Sequence, residues 1–184
     1  MLSEKYQTFL DNLLLYAYLT LLTLGSHVNE QQFEIFLNLM LNIHGKHNTK
    51  TQKIVPYKYT MPNGEVEELG HGMHMRTDIE IPSLKCVLEL KVSTASTKRE
   101  HMEQLRTYLE QREDLEIGFV VNFITKDDKK HKPVVQIDIL KKKRNEDGEL
   151  ETVLFGTIVK HRFNQYGPYF SEEVPSWDDL VEKV

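Results

Sequence analysis

Apolar residues recur at helical spacing over the first quarter of the chain. Residues 4–24 carry one stripe, with Ser3 suited to begin the helix and Gly25 to end it. Residues 29–43 carry a second stripe behind a potential N-cap at Asn29. The two stripes consist of Tyr6, Leu10, Leu13, Leu14 and Ala17, and of Phe33, Phe36, Leu37, Met40 and Leu41. The pattern predicts two successive amphipathic helices.

Segments with strand character follow a polar stretch, 45–52, that we expect to loop out. They lie at 53–60, 75–81, 86–92, 118–123, 134–140 and 151–160. The turn residues Pro62-Asn63-Gly64 and Asp147-Gly148 predict two hairpins. The segment 118–123 is almost uniformly apolar, which is typical of a strand covered on both faces.

Two more helices complete the predicted element order. Residues 98–112 form a third helix, in which Thr97 and Glu100 have capping-box spacing, and its core-facing residues are Met102, Leu105 and Leu109. A last short helix begins at Ser176 and packs through Trp177, Leu180, Val181 and Val184. Helices and strands in this order predict an α/β fold in one domain, 1–184, with a core at about 3–123 and a C-terminal hairpin and helix at 125–184.

The composition is that of a globular protein, with 40% hydrophobic and 28% charged residues among 184. Cys86 is the single cysteine, so no internal disulfide can form and a reducing compartment is the simpler expectation. No secretory signal is visible, and the longest uncharged stretch, 12–24, is shorter than the roughly 20 apolar residues that cross a bilayer. We therefore expect an intracellular protein of the cytoplasm or nucleus that does not associate with membranes.

The net charge of −5 argues at first against a nucleic-acid-binding protein. Carboxylates that hold a divalent cation, however, count as negative in this sum and are neutralised in use. The positive charge is also clustered, at Lys126, Lys129, Lys130 and Lys132 and again at Lys141, Lys142, Lys143 and Arg144. Such clusters attract phosphate locally. The alternative, two solvated hairpin edges, stays open.

Three ionisable residues on two consecutive predicted strands carry the candidate chemistry. Glu89 and Lys91 are two residues apart and therefore share one face of a strand, and Asp78 lies on the preceding strand. Two carboxylates held close together repel, and a divalent ion relieves that repulsion. A neighbouring lysine can orient or deprotonate an attacking water, which suits hydrolysis of a phosphodiester. The alternative is a solvated surface strand, since Glu-x-Lys alone is common.

Further polar residues border this constellation. Gln104 and Tyr108 share one face of the third helix, and both side chains can hydrogen-bond phosphate oxygens, although Tyr108 could equally be part of the core. Arg76 shares the strand face of the aspartate, where it suits a salt bridge or a phosphate contact. His71 and His74 lack clean metal-ligand spacing, and we expect them to be exposed loop residues.

Four segments together resemble the GxxExxY group of the PD-(D/E)XK nuclease superfamily, which is close to RecB-like nuclease domains. They are Leu24-Gly25 with Glu30 and Phe33, Met75 to Asp78, Val87 to Lys91, and Gln104 to Leu109 running on to Gly118 through Phe123. The resemblance covers roughly residues 15–123, and the ordered set is more specific than any one motif. The glycine that names the group is His27 here, and its tyrosine is Phe33.

The resemblance implies a metal-dependent nuclease that acts on nucleic acid, on DNA in preference to RNA. Asp78 and Glu89 would ligate Mg²⁺ or Mn²⁺, and the backbone carbonyl of Leu90 would be a further ligand. Glu30 would approach the same metal or its waters. Lys91 would be the catalytic lysine.

The resemblance also implies the architecture around this centre. The fold would be restriction-endonuclease-like, a central mixed β-sheet flanked by helices in α-β-β-β-α-β order with an extra C-terminal hairpin. Gln104 and Tyr108 would line the site and contact the nucleic-acid backbone. Residues 125–184 would either cradle the substrate or form the surface of a homodimer, and both alternatives stay open.

Two other classes of function compete with the nuclease. The first is a catalytically inactive module on the same fold that binds nucleic acid or a protein. The joint presence of Asp78, Glu89, Lys91, Gln104 and Tyr108 speaks against it, because an inactive copy has no reason to keep all five. The second is an interaction protein in which the three charged residues are scattered over the surface by chance.

Overall fold

The computed structural model of the protein describes residues 2–25, 28–56, 58–60, 66–68, 74–125 and 134–160. The helices in these ranges are α1 (Glu4–Leu24), α2 (Glu30–Ile43) and α3 (Arg99–Gln111). The strands are β1 (Lys50–Pro56), β2 (Lys58–Thr60), β3 (Val66–Glu68), β4 (His74–Ile81), β5 (Cys86–Ser93), β6 (Ile117–Ile124), β7 (Val134–Arg144) and β8 (Leu150–Lys160). A short 3₁₀ turn, Pro82–Leu84, joins β4 to β5.

The N-terminal helices begin and end where the sequence predicts. Gly25 ends α1 at a φ of 73°, a left-handed value that glycine adopts without strain. Asn29 begins α2 with a capping box, in which its side chain accepts the N–H of Gln32 and the Gln32 side chain accepts the N–H of Asn29. Ser3 precedes α1 as predicted, but its side chain makes no capping hydrogen bond.

The central sheet has the strand order β1-β4-β5-β6-β7-β8. Strands β5 and β6 are parallel and are connected through α3, whereas the other neighbouring strands are antiparallel. The predicted fold class, a mixed sheet flanked by helices, is therefore confirmed. The C-terminal hairpin of β7 and β8 extends this sheet at one edge, and Gly148 in its turn has a φ of 83°.

Three local predictions need correction. The expected loop at 45–52 ends early, because β1 already begins at Lys50. The strand predicted at 53–60 is divided, since β1 ends at Pro56 and β2 pairs with β3 in a separate two-stranded sheet. Thr97 does not begin α3; Lys98 is the N-cap, and its N–H contacts the Nδ1 of His101 at 3.4 Å.

Helices cover both faces of the central sheet. The buried side chains of α1 and α2 pack on one face, where Phe33 stacks on Phe123 with ring centroids 4.4 Å apart. The buried residues of α3 pack on the other face, against Val87, Val120 and Leu140. Consecutive residues of β5 therefore face different helical layers, and this alternation decides where its polar residues point.

Several predicted features fall outside the described residues. They are the Pro62-Asn63-Gly64 turn, His27, His71, the side chain of His74, the basic cluster from Lys126 to Lys132 and the helix from Ser176. Among the described helices, none has both the length and the apolar character needed to cross a membrane.

Gly118 tests how closely α3 packs on β6. A Cβ at this position would lie 2.7 Å from Cδ1 and 2.9 Å from Cγ of Leu105, a side chain that is completely buried. We expect Gly118→Ala to lower the free energy of unfolding in urea by about 1–3 kcal/mol through overpacking. Gly156→Ala is the control, because a Cβ there meets nothing within 4 Å, and we expect a change within about 0.5 kcal/mol. Equal losses at both positions would contradict this packing.

Candidate active site

Asp78 and Glu89 come together where β4 and β5 begin to separate. The paired ladder of these strands runs from Ile79 opposite Leu88 to Ile81 opposite Cys86. One residue before the ladder, the Asp78 side chain replaces the backbone partner, since the N–H of Leu90 donates to Asp78 Oδ2 at 2.7 Å. The aspartate is thereby fixed beside the strand that carries the glutamate.

Glu89 and Lys91 are in direct buried contact on the α3 side of β5. The Nζ of Lys91 lies 2.6 Å from Oε1 of Glu89 and 3.6 Å from Oε1 of Glu30, the first residue of α2. The Glu89 side chain is only 1% exposed. Its second oxygen, Oε2, is buried and has no hydrogen-bond partner among the described residues. The structure thus brings together Asp78, Glu89, Lys91 and Glu30.

Burial changes the proton equilibria of this group. Desolvation raises the pKa of Asp78 to about 6, although the N–H of Leu90 and the charge of Lys91 oppose the shift. Desolvation and the charge of Asp78 raise the pKa of Glu89 to about 8. For Lys91, burial favours the neutral amine, but the nearby carboxylates outweigh it and raise the pKa. At neutral pH the lysine is therefore charged and Glu89 tends to hold a proton.

The donor set fits a hard divalent cation. Carboxylate and carbonyl oxygens are the ligands that Mg²⁺ and Mn²⁺ prefer, and Asp78, Glu89 and the carbonyl of Leu90 are the predicted donors. The unpartnered Oε2 of Glu89 is a buried oxygen that a cation would satisfy. Within the described ranges, no three His, Cys, Asp or Glu side chains are gathered into a metal cluster, so waters would complete the coordination.

Gln104 and Tyr108 connect α3 to β4. The Nε2 of Gln104 donates to the Tyr108 hydroxyl at 2.7 Å, and that hydroxyl donates to the backbone carbonyl of Arg76 at 2.6 Å. Tyr108 is completely buried, so its hydroxyl holds the strand that carries Asp78. The contact with nucleic acid that the sequence suggested for Gln104 and Tyr108 stays a prediction.

Sequence reasoning missed two residues beside the site, the carboxylate Glu34 and the carboxamide Gln52. Glu34 follows Glu30 by one helical turn and is largely buried, and both of its oxygens accept from Nε2 of Gln52, at 2.5 and 2.6 Å. The Oε1 of Gln52 in turn accepts from Nη2 of Arg76. The helical spacing from Glu30 could have indicated Glu34, but Gln52 lies in the stretch predicted as a loop.

A cleft of about 650 Å³ opens beside Asp78. We call it the α2–β4 cleft, after the elements that form two of its walls. Its lining includes Glu30, Glu34, Asn38, Gln52, Arg76 and Asp78. Two carboxylates of the candidate site, Glu30 and Asp78, therefore border a space large enough for a small ligand or one nucleotide.

His101 in the first turn of α3 was also missed. Burial and the positive charge of Lys91 lower the pKa of His101, which keeps the imidazole neutral at pH 7. Its Nδ1 lies 3.4 Å from the backbone N–H of Lys98, an arrangement in which Nε2 carries the proton. The spacing could have indicated it, because His101, Gln104 and Tyr108 recur at i, i+3 and i+7 on one helical face.

The second basic cluster lies far from these residues. Lys141 is opposite Ile117, which is opposite Cys86, five strand residues and roughly 17 Å from Lys91 along the strand direction. Three members of the cluster have local partners: Lys142 donates to the carbonyl of Arg112, Lys143 pairs with Glu151, and Arg144 donates to the carbonyl of Gly148. These contacts favour the interpretation of a solvated hairpin edge.

Comparison with known proteins gives one match. The model of the PD-(D/E)XK nuclease superfamily matches residues 8–134, more than half of the chain. That range contains α2, β1, β4, β5 and α3, the elements on which the site residues described above lie. No curated protein and no solved structure matches the chain.

The raised pKa of Glu89 predicts how stability depends on pH in the absence of divalent metal. A carboxyl whose pKa is raised by folding stabilises the protein below its unfolded pKa, and that contribution is lost as the pH rises through the folded pKa. The free energy of unfolding measured in chelator should therefore fall between about pH 5 and pH 8. We expect Glu89→Gln to remove on the order of 1–3 kcal/mol of this fall.

Glu116→Gln is the matched control for this titration. Hydrogen bonds from Lys85 and Tyr6 lower the pKa of Glu116, so its contribution is lost only as the pH falls into the acid range. This variant should keep the wild-type slope between about pH 5 and pH 8. An unchanged slope in Glu89→Gln would contradict the burial of an uncompensated carboxyl at position 89.

Proposed function

The chain belongs to the PD-(D/E)XK nuclease superfamily, and on that basis we propose that it is a divalent-metal-dependent nuclease that hydrolyses phosphodiester bonds. The observation that carries the proposal is the convergence of Asp78, Glu89 and Lys91 on one half-buried site. The superfamily implies nucleic acid as the substrate. We propose DNA in preference to RNA, a choice that rests on the likeness to RecB-like nuclease domains.

The proposed metal ligands are Asp78, Glu89 and the carbonyl of Leu90, with Glu30 approaching the ion or its waters. A divalent cation held by these residues would supply an activated water and neutralise charge on the phosphate. Asp78 stays oriented through the N–H of Leu90. To serve as a ligand, Glu89 would release its proton to solvent, and the charge of Lys91 favours this ionisation.

Lys91 acts as a cation in this proposal. Because its pKa is raised, the side chain carries its proton at neutral pH, which favours an electrostatic role over that of the base that removes a proton from water. Its ammonium group instead orients the attacking water and balances the charge that develops on the phosphate. The ion pairs with Glu89 and Glu30 hold the group in place for this role.

We also propose the narrower assignment to the GxxExxY group. It is supported by the succession of Gly25 at the end of α1 and Glu30 at the start of α2, together with the approach of Glu30 to Lys91. The phenyl ring of Phe33 takes the place of the group's tyrosine and stacks on Phe123 in the core. At that position the chain has a buried phenyl ring that packs in the core and lacks the hydroxyl of the group's tyrosine.

The direct test is cleavage of labelled single- and double-stranded DNA and RNA with Mg²⁺ or Mn²⁺, and then with chelator. We expect metal-dependent cutting that Asp78→Asn and Lys91→Ala reduce by roughly 10²–10⁴-fold in kcat, because each removes a group that acts on the reacting phosphate or its water. Lys85→Ala is the control, since this exposed lysine pairs with Glu116 at the other end of β5.

The remaining outcomes of this assay separate the alternatives. Binding of nucleic acid without cutting by the unmodified protein would contradict the nuclease and support the inactive binding module on the same fold. Cutting that survives in both Asp78→Asn and Lys91→Ala would place the catalytic centre elsewhere. A protein that neither binds nor cuts nucleic acid would contradict both the nuclease and the nucleic-acid-binding module.

Tyr108→Phe tests whether the hydroxyl positions β4. The change removes the hydrogen bond to the Arg76 carbonyl, and we expect a loss of about 1 kcal/mol in unfolding free energy together with a roughly tenfold lower kcat, because misplacement of Asp78 weakens catalysis. Tyr6→Phe is the control, as its hydroxyl donates to Leu84 and Glu116 away from the site. A kcat that falls equally in both variants would contradict the positioning role.

A further inference from the structure

The α2–β4 cleft is predominantly acidic, so the phosphates of a nucleic acid would be repelled there unless a cation compensated the carboxylates. Glu30, Glu34 and Asp78 contribute carboxylates, and Arg76 carries the only positive charge among the lining residues that the structure describes. Among the described lining residues, Arg76 is therefore the cation that a phosphate entering beside Asp78 would meet. The guanidinium group presents several N–H donors in a plane, which matches phosphate oxygens.

A relay of side chains holds that guanidinium group in the cleft. Glu34 anchors the relay, because both of its oxygens accept from the amide of Gln52. The amide oxygen of Gln52 then accepts from Arg76. Since Gln52 stands between the carboxylate and the guanidinium, it links the two charges through a neutral dipole instead of a direct ion pair.

The backbone of β1 is irregular at Gln52, the residue that contacts both Glu34 and Arg76. Thr51 pairs with Ile79 and Lys53 pairs with Thr77, while Gln52, the residue between them, has no paired partner across from Asp78. Its φ is 53°, a left-handed value that non-glycine residues seldom adopt. Backbone strain of this kind persists where surrounding contacts enforce it, and it concentrates at ligand-binding and catalytic sites.

We propose that Arg76 binds a backbone phosphate of the nucleic acid in the α2–β4 cleft, and that Gln52, anchored on Glu34, is the residue that positions it. The inference rests on the proposed nuclease function. It implies that the nucleic-acid strand that is cut runs along this cleft. Arg76 and Asp78 are two residues apart on one strand face, roughly 6.6 Å along the strand. The bound phosphate is therefore close to the one that is hydrolysed.

Binding in a catalytically impaired background tests this assignment without cutting. In Asp78→Asn, whose amide oxygen can still accept the N–H of Leu90, the affinity for fluorescein-labelled single-stranded DNA is measured by anisotropy at a series of salt concentrations. Adding Arg76→Gln should weaken binding roughly tenfold and reduce the slope of log affinity against log salt by about 0.7, the value of one lost phosphate contact on a single strand. Arg144→Gln, a matched charge loss on the distant hairpin, should leave affinity and slope nearly unchanged.

Three further variants separate the positioning of Arg76 from its charge and from the stability of the fold. Arg76→Lys should keep the salt slope but bind more weakly than arginine, because the ammonium lacks the planar fork. Gln52→Ala should weaken binding by severalfold with the slope intact, whereas Gln52→Asn, which keeps an amide and tolerates a left-handed backbone, should recover part of the affinity. Thermal melting of each variant verifies that the fold is retained.

The outcomes distinguish this inference from the proposed function. If the unmodified protein cuts DNA and Asp78→Asn binds it, but Arg76→Gln lowers the slope no more than Arg144→Gln, the nuclease stands and the phosphate contact is wrong. If Arg76→Gln lowers the slope but Gln52→Ala binds as tightly as its parent, the positioning role is wrong. If Asp78→Asn binds no DNA even at low salt and the unmodified protein cuts none, both proposals fail.

Discussion

A carboxyl group enclosed in the middle of a mixed sheet is the constraint on which the candidate site depends. Glu89 is almost completely buried, one of its oxygens is paired with Lys91, and the other has no partner among the described residues. A buried charge without full compensation is costly, which is why burial and the nearby Asp78 raise the pKa of this glutamate to about 8. A divalent cation is the partner that would satisfy both carboxylates at once.

The fold keeps this arrangement in place through two helical layers. Leu88 and Leu90 of β5 face the core with α1 and α2, and Val87 faces the core with α3, so the strand cannot rotate without exposing apolar side chains. On the α1–α2 side, α2 brings Glu30 to the lysine. On the other side, α3 ties the Arg76 carbonyl of β4 through the Tyr108 hydroxyl. The positions of Asp78, Glu89 and Lys91 are thus fixed by the packing of apolar and aromatic side chains around their strands.

The sequence predicted features that depend on local patterns and missed those that depend on contacts between distant segments. The helical stripes specified α1 and α2, and strand alternation placed Glu89 and Lys91 on one face. The left-handed backbone of Gln52 has no signature in a polar stretch, and its contact with Glu34 joins residues 18 positions apart. The internal partner of the Tyr108 hydroxyl likewise depends on how α3 lies on β4, which periodicity cannot specify.

The central claim is that Asp78 and Glu89 bind one divalent cation in a site where Glu89 is otherwise protonated. Calorimetric titration with Mn²⁺ at pH 7, in buffers of different ionisation enthalpy, measures affinity and proton release together. We expect that binding releases close to one proton, and that Glu89→Gln both weakens binding and abolishes the release. Binding without proton release, or binding that Asp78→Asn and Glu89→Gln leave unchanged, would contradict it.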